Sequence, residues 1–333
     1  MTLLRVGMLG CGGYAHRLAP ILTGLQDRVE LTAFSDRNEW KAQEFSEKYT
    51  SHRAAVFTDH HALLDQADLD LLVITLPPYS HTDEVQLAAQ RGIHIMIEKP
   101  IALTSAQAWQ MVEWTEQAGI KTQVGFMFRF GEAIEYLKQR LDDGTAGPAG
   151  LMTARYFCNA LHAPWWRMRD KSGGQVVEQA IHMFDLLRYL LGDPAAVYSR
   201  QANLFHRDVP DYTIEDVSAT VVSFQSGALG VVYATNSAIP GRWINDYRVV
   251  TQHLTVDFTD ANHATFYRTM ADTDPTAEMI ESSQDFRRRM IEDLLTAIET
   301  NGHTRTPMRE GAKTLDLVLA AARSNEQRAE VAL

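Results

Sequence analysis

Along the first third of the chain, apolar positions alternate between two periods. Short β-branched runs at Leu4–Leu9, Glu30–Ser35, Asp70–Thr75, His94–Ile97 and Lys121–Val124 predict strands. Between them, Tyr14–Gln26, Glu39–Tyr49, His81–Gln90 and Ser105–Ala118 place apolar residues three and four apart, the helical spacing. Several of the strands are apolar almost throughout, as strands covered on both faces are. Strand and helix in strict alternation predict an α/β domain built on a parallel, doubly wound sheet.

The pattern changes after Phe130. A helix over Gly131–Leu141 ends in the breaker-rich Asp142-Asp143-Gly144-Thr145-Ala146-Gly147-Pro148. A strand from Gly150 to about Asn159 follows, then a loop, then an apolar helix over Gln175–Leu191. Val217–Phe224 and Ala228–Asn236 flank Gln225-Ser226-Gly227 as a β-hairpin, and Tyr247–Leu254, Thr255–Phe258 and His263–Arg268 read as further strands. This predicts an α+β domain with an open-faced, mostly antiparallel sheet, one face for a ligand and the other for a subunit partner. Met270–Asp285 is polar and reads as a loop; the helices Phe286–Glu299 and Arg309–Glu330 close the chain. The expected division is residues 1–123 and 124–333, with helix 309–330 returning to the first domain.

Composition narrows the functions. The chain has 333 residues, enough for two domains, with 45% hydrophobic and 22% charged residues, ordinary globular values. A net charge of −11 leaves no basic excess to displace phosphate counterions, which argues against nucleic acid as a partner. No run approaches the ~18–20 apolar residues of a membrane span. Leu3–Leu9 passes straight into a glycine loop without the features of a secretory signal. The two cysteines, Cys11 and Cys158, form no C-x-x-C pair, so neither a disulfide framework nor a cysteine zinc site is expected; no metal is expected, and the cytoplasm is the expected compartment.

Gly10-Cys11-Gly12-Gly13-Tyr14-Ala15 sits between a strand and a helix, with Gly10, Gly12 and Ala15 at the three positions of G-x-G-x-x-G/A. In that context the first glycine makes the tight turn and the second admits a pyrophosphate. The helix then offers its free N–H groups to the phosphates. Asp36 closes the second strand, where a carboxylate accepts from the adenosine ribose hydroxyls. Its charge opposes a 2′-phosphate and favours NAD, while Arg37 beside it can pair with that phosphate and keeps NADP open. Thr75, Leu76 and Pro77 end the third of these strands at a Pro77-Pro78 stop, at the carboxyl edge where cofactors bind, with Ser80 as a candidate cap for the next helix. His81 lies in the first turn of that helix; a structural role suits it, and it is grouped with the cofactor-lining residues. Glu98-Lys99-Pro100 ends the next strand alike, with Glu98 at the cofactor edge; Lys99 there is well placed to meet both nicotinamide and substrate, a surface lysine is the alternative, and the tripeptide alone does not decide between them.

The helix Gln175–Leu191 is apolar nearly all round, yet Glu178, His182, Asp185 and Tyr189 fall on one stripe. A buried, purely structural Glu–His pair is the bland alternative. Four ionisable or polar members beside Ser172-Gly173-Gly174 favour a functional site. The preceding loop carries His162, Trp165, Trp166, Arg167 and Arg169; aromatic rings stack on sugar faces, with ordinary packing of the tryptophan pair as the alternative. Arg129 follows Gly125-Phe126-Met127-Phe128 and is given no role.

Taken together, G-C-G-G-Y-A, L-P-P-Y-S-H, E-K-P and G-G-Q-V-V-E-Q-A-I-H-M-F-D resemble the glucose-fructose oxidoreductase, inositol dehydrogenase and rhizopine-catabolism (Gfo/Idh/MocA) family over nearly the whole chain. The resemblance implies a Rossmann domain, an α+β domain whose sheet forms a homodimer or homotetramer, and NAD(P)-linked hydride transfer at sugar or polyol hydroxyls. It assigns Lys99 to bridge cofactor and substrate, His182 to move the proton, Asp185 as the acid one turn beyond, and Trp166-Arg167 as a pair near the nicotinamide. Glu178 departs, since many members carry aspartate there, and Ala180 stands where glycine is common. On this reading Lys99, His182 and Glu178 are catalytic, with Glu178 orienting the imidazole, and Trp165, Trp166, Glu178, His182, Asp185 and Lys99 meet the substrate. A glycoside hydrolase of the same fold and a non-catalytic dinucleotide-dependent regulator are the competing readings.

Overall fold

The computed structural model describes residues 3–269 and 276–333, which form two compact units. The first comprises residues up to Ala102, Ala106–Gly125 and Arg287–Ala312; the second comprises Leu103–Ser105, Phe126–Phe286 and Lys313–Leu333. Residues 287–312 thus group with the N-terminal part of the chain, a discontinuity that reading along the sequence does not reveal.

The first unit alternates as the periodicity requires. Its elements are β1 (Leu4–Leu9), α1 (Ala15–Thr23), β2 (Val29–Ser35), α2 (Glu39–Thr50), β3 (Ala55–Phe57), α3 (His60–Gln66), β4 (Leu71–Ile74), α4 (Glu84–Gln90), β5 (His94–Ile97), α5 (Ser105–Gln117) and β6 (Thr122–Val124). The strands are all parallel in the order β3-β2-β1-β4-β5-β6. The direction of winding reverses beside β1, and the crevice at the carboxyl edge there is the ligand position of open α/β sheets. Every residue of β4 is buried, which accounts for its unbroken apolar run. The sequence pattern misses β3 and α3, since three and seven residues are too short to display a period. α4 begins at Glu84, three residues later than the pattern suggests, and Asp83, not Ser80, occupies its cap position.

In the second unit, α6 (Glu132–Asp142) leads to β7 (Ala149–Phe157), α7 (Arg169–Ser172), one π-helical turn (Val176–Ala180) and α8 (Ile181–Leu191). Then follow β8 (Pro194–Ala202), β9 (Val217–Phe224), β10 (Leu229–Thr235), β11 (Tyr247–Thr251), β12 (Leu254–Phe258), β13 (Ala264–Arg268) and β14 (Ala277–Ile280). α9 (Phe286–Glu299), α10 (Met308–Gln327) and β15 (Val331–Ala332) complete the chain. The sheet order is β14-β13-β12-β11-β7-β10-β9-β8-β15, antiparallel except where β10 runs parallel to β7. β8, β14 and β15 escape the sequence reading. In particular, β14 pairs with β13 inside the stretch expected to be a loop, of which residues 270–275 lie outside the described residues. The single long helix expected over Gln175–Leu191 is divided, because a π turn inserts an extra residue per turn before α8 begins.

β9 and β10 alternate buried and exposed residues, one face covered and one open. On the covered face Gly230 lets α8 approach. A Cβ there would stand 2.1 Å from Leu187 Cδ2 and 3.1 Å from Phe224 Cε2, and Leu187 is fully buried. Gly230→Ala should therefore destabilise the protein by about 1–3 kcal/mol through overpacking. A fall in the urea midpoint at unchanged slope is the expected result.

Candidate active site

The dinucleotide loop is shaped by steric necessity. Gly10 sits at φ +93°, and a Cβ on it would lie 3.0 Å from the Thr75 carbonyl oxygen and 3.2 Å from Leu76 Cδ2. Thr75 Oγ1 donates to the Gly10 carbonyl at 2.5 Å, fixing the end of β4 against the turn. Gly12 and Gly13 behave oppositely: a Cβ on either meets nothing within 4 Å. Those two positions border open space, where backbone can approach a pyrophosphate. Tyr14 caps α1, whose first residue is Ala15. The Asp36 carboxylate accepts from Cys11 N at 3.0 Å and from Asn38 N at 2.9 Å, so it is held at the mouth of the loop; Arg37 beside it is exposed. Burial, then the nearby Asp36 charge, pushes the Cys11 thiol up to about 12, leaving it a packing group. A left-handed turn, open space over two glycines and a carboxylate at the end of β2 fit a dinucleotide bearing a free ribose diol.

Around the next strand ends, Thr75, Leu76 and Pro77 are half-buried. His81 Nδ1 and Glu84 Oε1 lie 2.6 Å apart with both side chains fully buried, so the His81 imidazole serves the first turn of α4. Burial works to raise the Glu84 carboxyl, but the His81 hydrogen bond and charge, with the Thr82 N–H, hold it below its usual value. Glu98 is buried and lies against Gly125, where a Cβ would come within 2.5 Å of its carboxylate. Lys99, half-buried, follows at the carboxyl end of β5, joined to Pro100 by a cis peptide bond.

In the second unit the four-residue stripe separates into two arrangements. Trp166 Nε1 donates to Glu178 Oε2 at 2.7 Å. Trp166 itself is 2% exposed, packed with Tyr212 and Ile214, and Trp165 lies partly buried on the same cluster. Trp166 is therefore a wall behind Glu178 instead of an open platform. Arg167 donates from Nε to the Leu161 carbonyl at 2.9 Å and from Nη2 to the His162 carbonyl at 3.1 Å, bracing the loop. Asp185 receives a two-pronged contact from Arg129, Nε at 2.8 Å and Nη2 at 2.6 Å, with both side chains almost fully buried. Thr314 Oγ1 adds a third bond to Asp185 at 3.2 Å, and the Arg129 guanidinium lies 4.7 Å over the Tyr189 ring. His182, 5% exposed, packs on Phe128 at 5.0 Å and edge-on to Phe126 at 6.3 Å. The sequence reading gave Arg129 no role; its spacing from Asp185 has no local signature.

Glu215 also escapes the sequence reading. Fully enclosed, it accepts from Val176 N at 2.8 Å and from Arg169 Nη2 at 2.8 Å. A Cβ on Gly174 would strike its carboxylate at 2.5 Å. Glu215 thus anchors the start of the π turn that carries Glu178. Nothing local marks it, because its partners lie 39 and 46 residues away.

This parallel sheet, this glycine turn and a carboxylate at the end of β2 define a nicotinamide-dinucleotide-binding domain. Family models agree in both units. Residues 4–126 match the oxidoreductase family with the NAD-binding Rossmann fold, and residues 134–261 match the GFO/IDH/MocA C-terminal domain. The chain belongs to the Gfo/Idh/MocA family. It is 29% identical to myo-inositol 2-dehydrogenase of Thermotoga maritima over 239 residues, covering 72% of this chain and 70% of that protein. It is 28% identical to D-glucoside 3-dehydrogenase of Escherichia coli over 242 residues, 68% of each. Among solved structures, levoglucosan dehydrogenase in complex with NADH and L-sorbose superposes with a TM-score of 0.90 at 19% identity, covering 100% of this chain and 99% of that one. The WlbA dehydrogenase of Bordetella pertussis with NADH and UDP-GlcNAcA gives 0.85 at 23% identity, with 100% and 99% coverage. Both show the shared fold. No helix among the described residues is long and apolar enough to cross a membrane.

The anchoring role of Glu215 predicts a measurable asymmetry. Glu215→Ala leaves the Val176 N–H without its acceptor and should cost about 1–3 kcal/mol. Burial raises the Glu215 carboxyl above its usual 4.5, against the opposing pull of Arg169. A carboxyl raised in the folded state contributes stability that is complete below its unfolded value and is lost as pH climbs through the raised one. Urea midpoints measured from pH 4 upward (about the unfolded carboxylate value) should show that decline in the parent and its absence in Glu215→Gln.

Proposed function

We propose that the protein transfers a hydride between NAD and a hydroxyl-bearing carbon of a sugar, polyol or sugar derivative. The observation that carries this reading is the pairing of two features in one chain. One is the NAD loop; the other is an imidazole, His182, on a helix whose preceding turn holds the ionisable Glu178 against Trp166. The named relatives support the substrate class, since they act on inositol and glucosides. The Asp36 carboxylate supports NAD over NADP, and Arg37 leaves a weaker use of NADP open.

The bound dinucleotide supplies or accepts the hydride. The chain's own residues manage the proton and the charge. His182 takes the hydroxyl proton during oxidation and returns it during reduction, as a general base and acid. Lys99 offers an ammonium to the substrate oxygen as negative charge gathers there. Glu178, oriented by the neutral Trp166 N–H, favours the charged imidazole or receives a substrate hydroxyl. Trp165 and Trp166 shape the substrate side, Arg167 holds the loop that carries them, and Asp185 fixes the helix through Arg129.

NADH formation should be followed over a panel of inositols, aldoses, glucosides and anhydrosugars with both cofactors. At least one substrate should turn over. His182→Ala and Lys99→Ala should each lose about 10²–10⁴-fold in kcat while NADH binding, read by fluorescence, is retained. Near-normal kcat in either variant would remove its assigned role. Glycoside cleavage without net NADH would replace the reading with a hydrolase, and NAD binding without turnover on any substrate would replace it with a regulator.

The open face of the second-unit sheet supports a homo-oligomer. Tyr198, Val221 and Val231 lie in register across β8, β9 and β10, and Leu229 faces Leu151 across β10 and β7. Tyr198, Val221, Leu229 and Leu151 are each exposed. A contiguous apolar face of this kind suits a second copy of itself about a two-fold axis. Light scattering should find a dimer or tetramer for the parent and a smaller species for Val221→Lys; a monomeric parent at micromolar concentration would refute the assembly.

A further inference from the structure

Outside the dinucleotide loop, the first unit gathers two imidazoles and a carboxylate from two helices. His60 and His61 open α3, and Asp83 precedes α4. His60 Nε2 lies 2.6 Å from Asp83 Oδ1, and His61 Nε2 lies 3.7 Å from the same oxygen. One donor atom from each of the three residues falls within 4.8 Å of the others.

A simple His–Asp hydrogen bond accounts for His60 and Asp83, but it leaves His61 unexplained. Its side chain is 58% exposed, so water is open to it. Instead its ring lies against that of His60, centroids 4.2 Å apart, with Nε2 aimed at the shared carboxylate. At 3.7 Å that approach is too long for a hydrogen bond. It is close to the ~3.4 Å separation of two ligand atoms on a tetrahedral ion with bonds of about 2.0–2.1 Å. The shorter His60–Asp83 separation needs to open by less than an ångström, about one rotamer adjustment, to reach the same value. Half-exposure of the group leaves the remaining coordination position to water.

We infer that His60, His61 and Asp83 form a binding site for a divalent first-row transition ion, Zn2+ being the occupant their nitrogen and oxygen donors suit best. The ion joins α3 to α4, on the first unit alone, and takes no part in the hydride chemistry proposed above. Calcium and magnesium are disfavoured, because both prefer all-oxygen shells. Both imidazoles must be neutral to bind, so affinity falls as pH drops.

The test is a Zn2+ titration of the full-length, untagged protein by calorimetry, with the thermal midpoint as a second readout. Since the chain has 12 histidines, the variants decide where binding occurs. The parent should bind one ion tightly per chain and rise in melting temperature as Zn2+ is added. Loss of even an outer-shell partner costs about 10–100-fold, so His61→Ala and Asp83→Asn should each weaken that site by at least about tenfold. His61 is exposed, so His61→Ala should fold with an unchanged melting temperature in chelator. Equal affinity in the parent and His61→Ala would overturn the site, as would a parent that binds no ion at millimolar Zn2+.

Discussion

A charge removed from water must find a partner, and much of the second unit is arranged around that requirement. Asp185 lies on a helix that is otherwise apolar and has almost no exposed surface. Left alone, its carboxylate would carry a desolvation penalty of several kcal/mol. Arg129 meets it with two parallel N–H bonds, and Thr314 supplies a third donor. That pair fixes the segment 127–130 against α8, and the same segment brings Phe128 onto His182. The environment of the candidate proton carrier is thus set by an ion pair one turn further along the helix. Buried ion pairs are weak sources of net stability; their value here is in selecting one arrangement over others.

The same requirement recurs with different partners. Glu84 is enclosed with a histidine, and Glu215 with an arginine and a backbone N–H. Each carboxylate meets the start of a helical segment: α4 beyond the Pro77 turn, and the π turn carrying Glu178. Negative groups are favoured near helix starts by the free N–H groups there. The protein uses buried carboxylates as anchors at these points, so backbone placement near the cofactor turn and near Glu178 depends on side chains that do no chemistry.

Legibility in the sequence follows the range of the interactions. The parallel sheet and the glycine turn are visible because their determinants are local: a period of two or 3.6, and a glycine at φ +93° beside a strand end. The elements missed are those whose justification is distant. β14 and β15 are short edge strands defined by pairing to β13 and β8. The π turn at Val176–Ala180 is invisible because helical spacing assumes regular winding; its extra residue breaks the stripe predicted through Glu178, His182, Asp185 and Tyr189. Candidate residues followed the same rule. Gly10, Asp36, Lys99 and His182 are singled out as candidates by their position at strand ends or on a helix. Arg129 and Glu215 have no such local mark and show themselves only once their buried partners are in view.

Glu178 and Asp185 look alike in the sequence, yet their environments give them different chemical prospects. Asp185 faces a guanidinium held by two bonds, which both orients the carboxylate and cancels its charge. That contact commits Asp185 to holding segment 127–130 against α8. Glu178 receives a neutral indole N–H, which orients one of its oxygens. The influence of its charge extends to Cys158, whose thiol is pushed up to about 12 by burial and, secondarily, by Glu178. Glu178 sits on the π turn directly before the helix that carries His182. An aspartate at position 178 would be shorter by a methylene and would lose the reach to Trp166 Nε1 that orients this carboxylate. The longer side chain and the buried tryptophan are therefore one device.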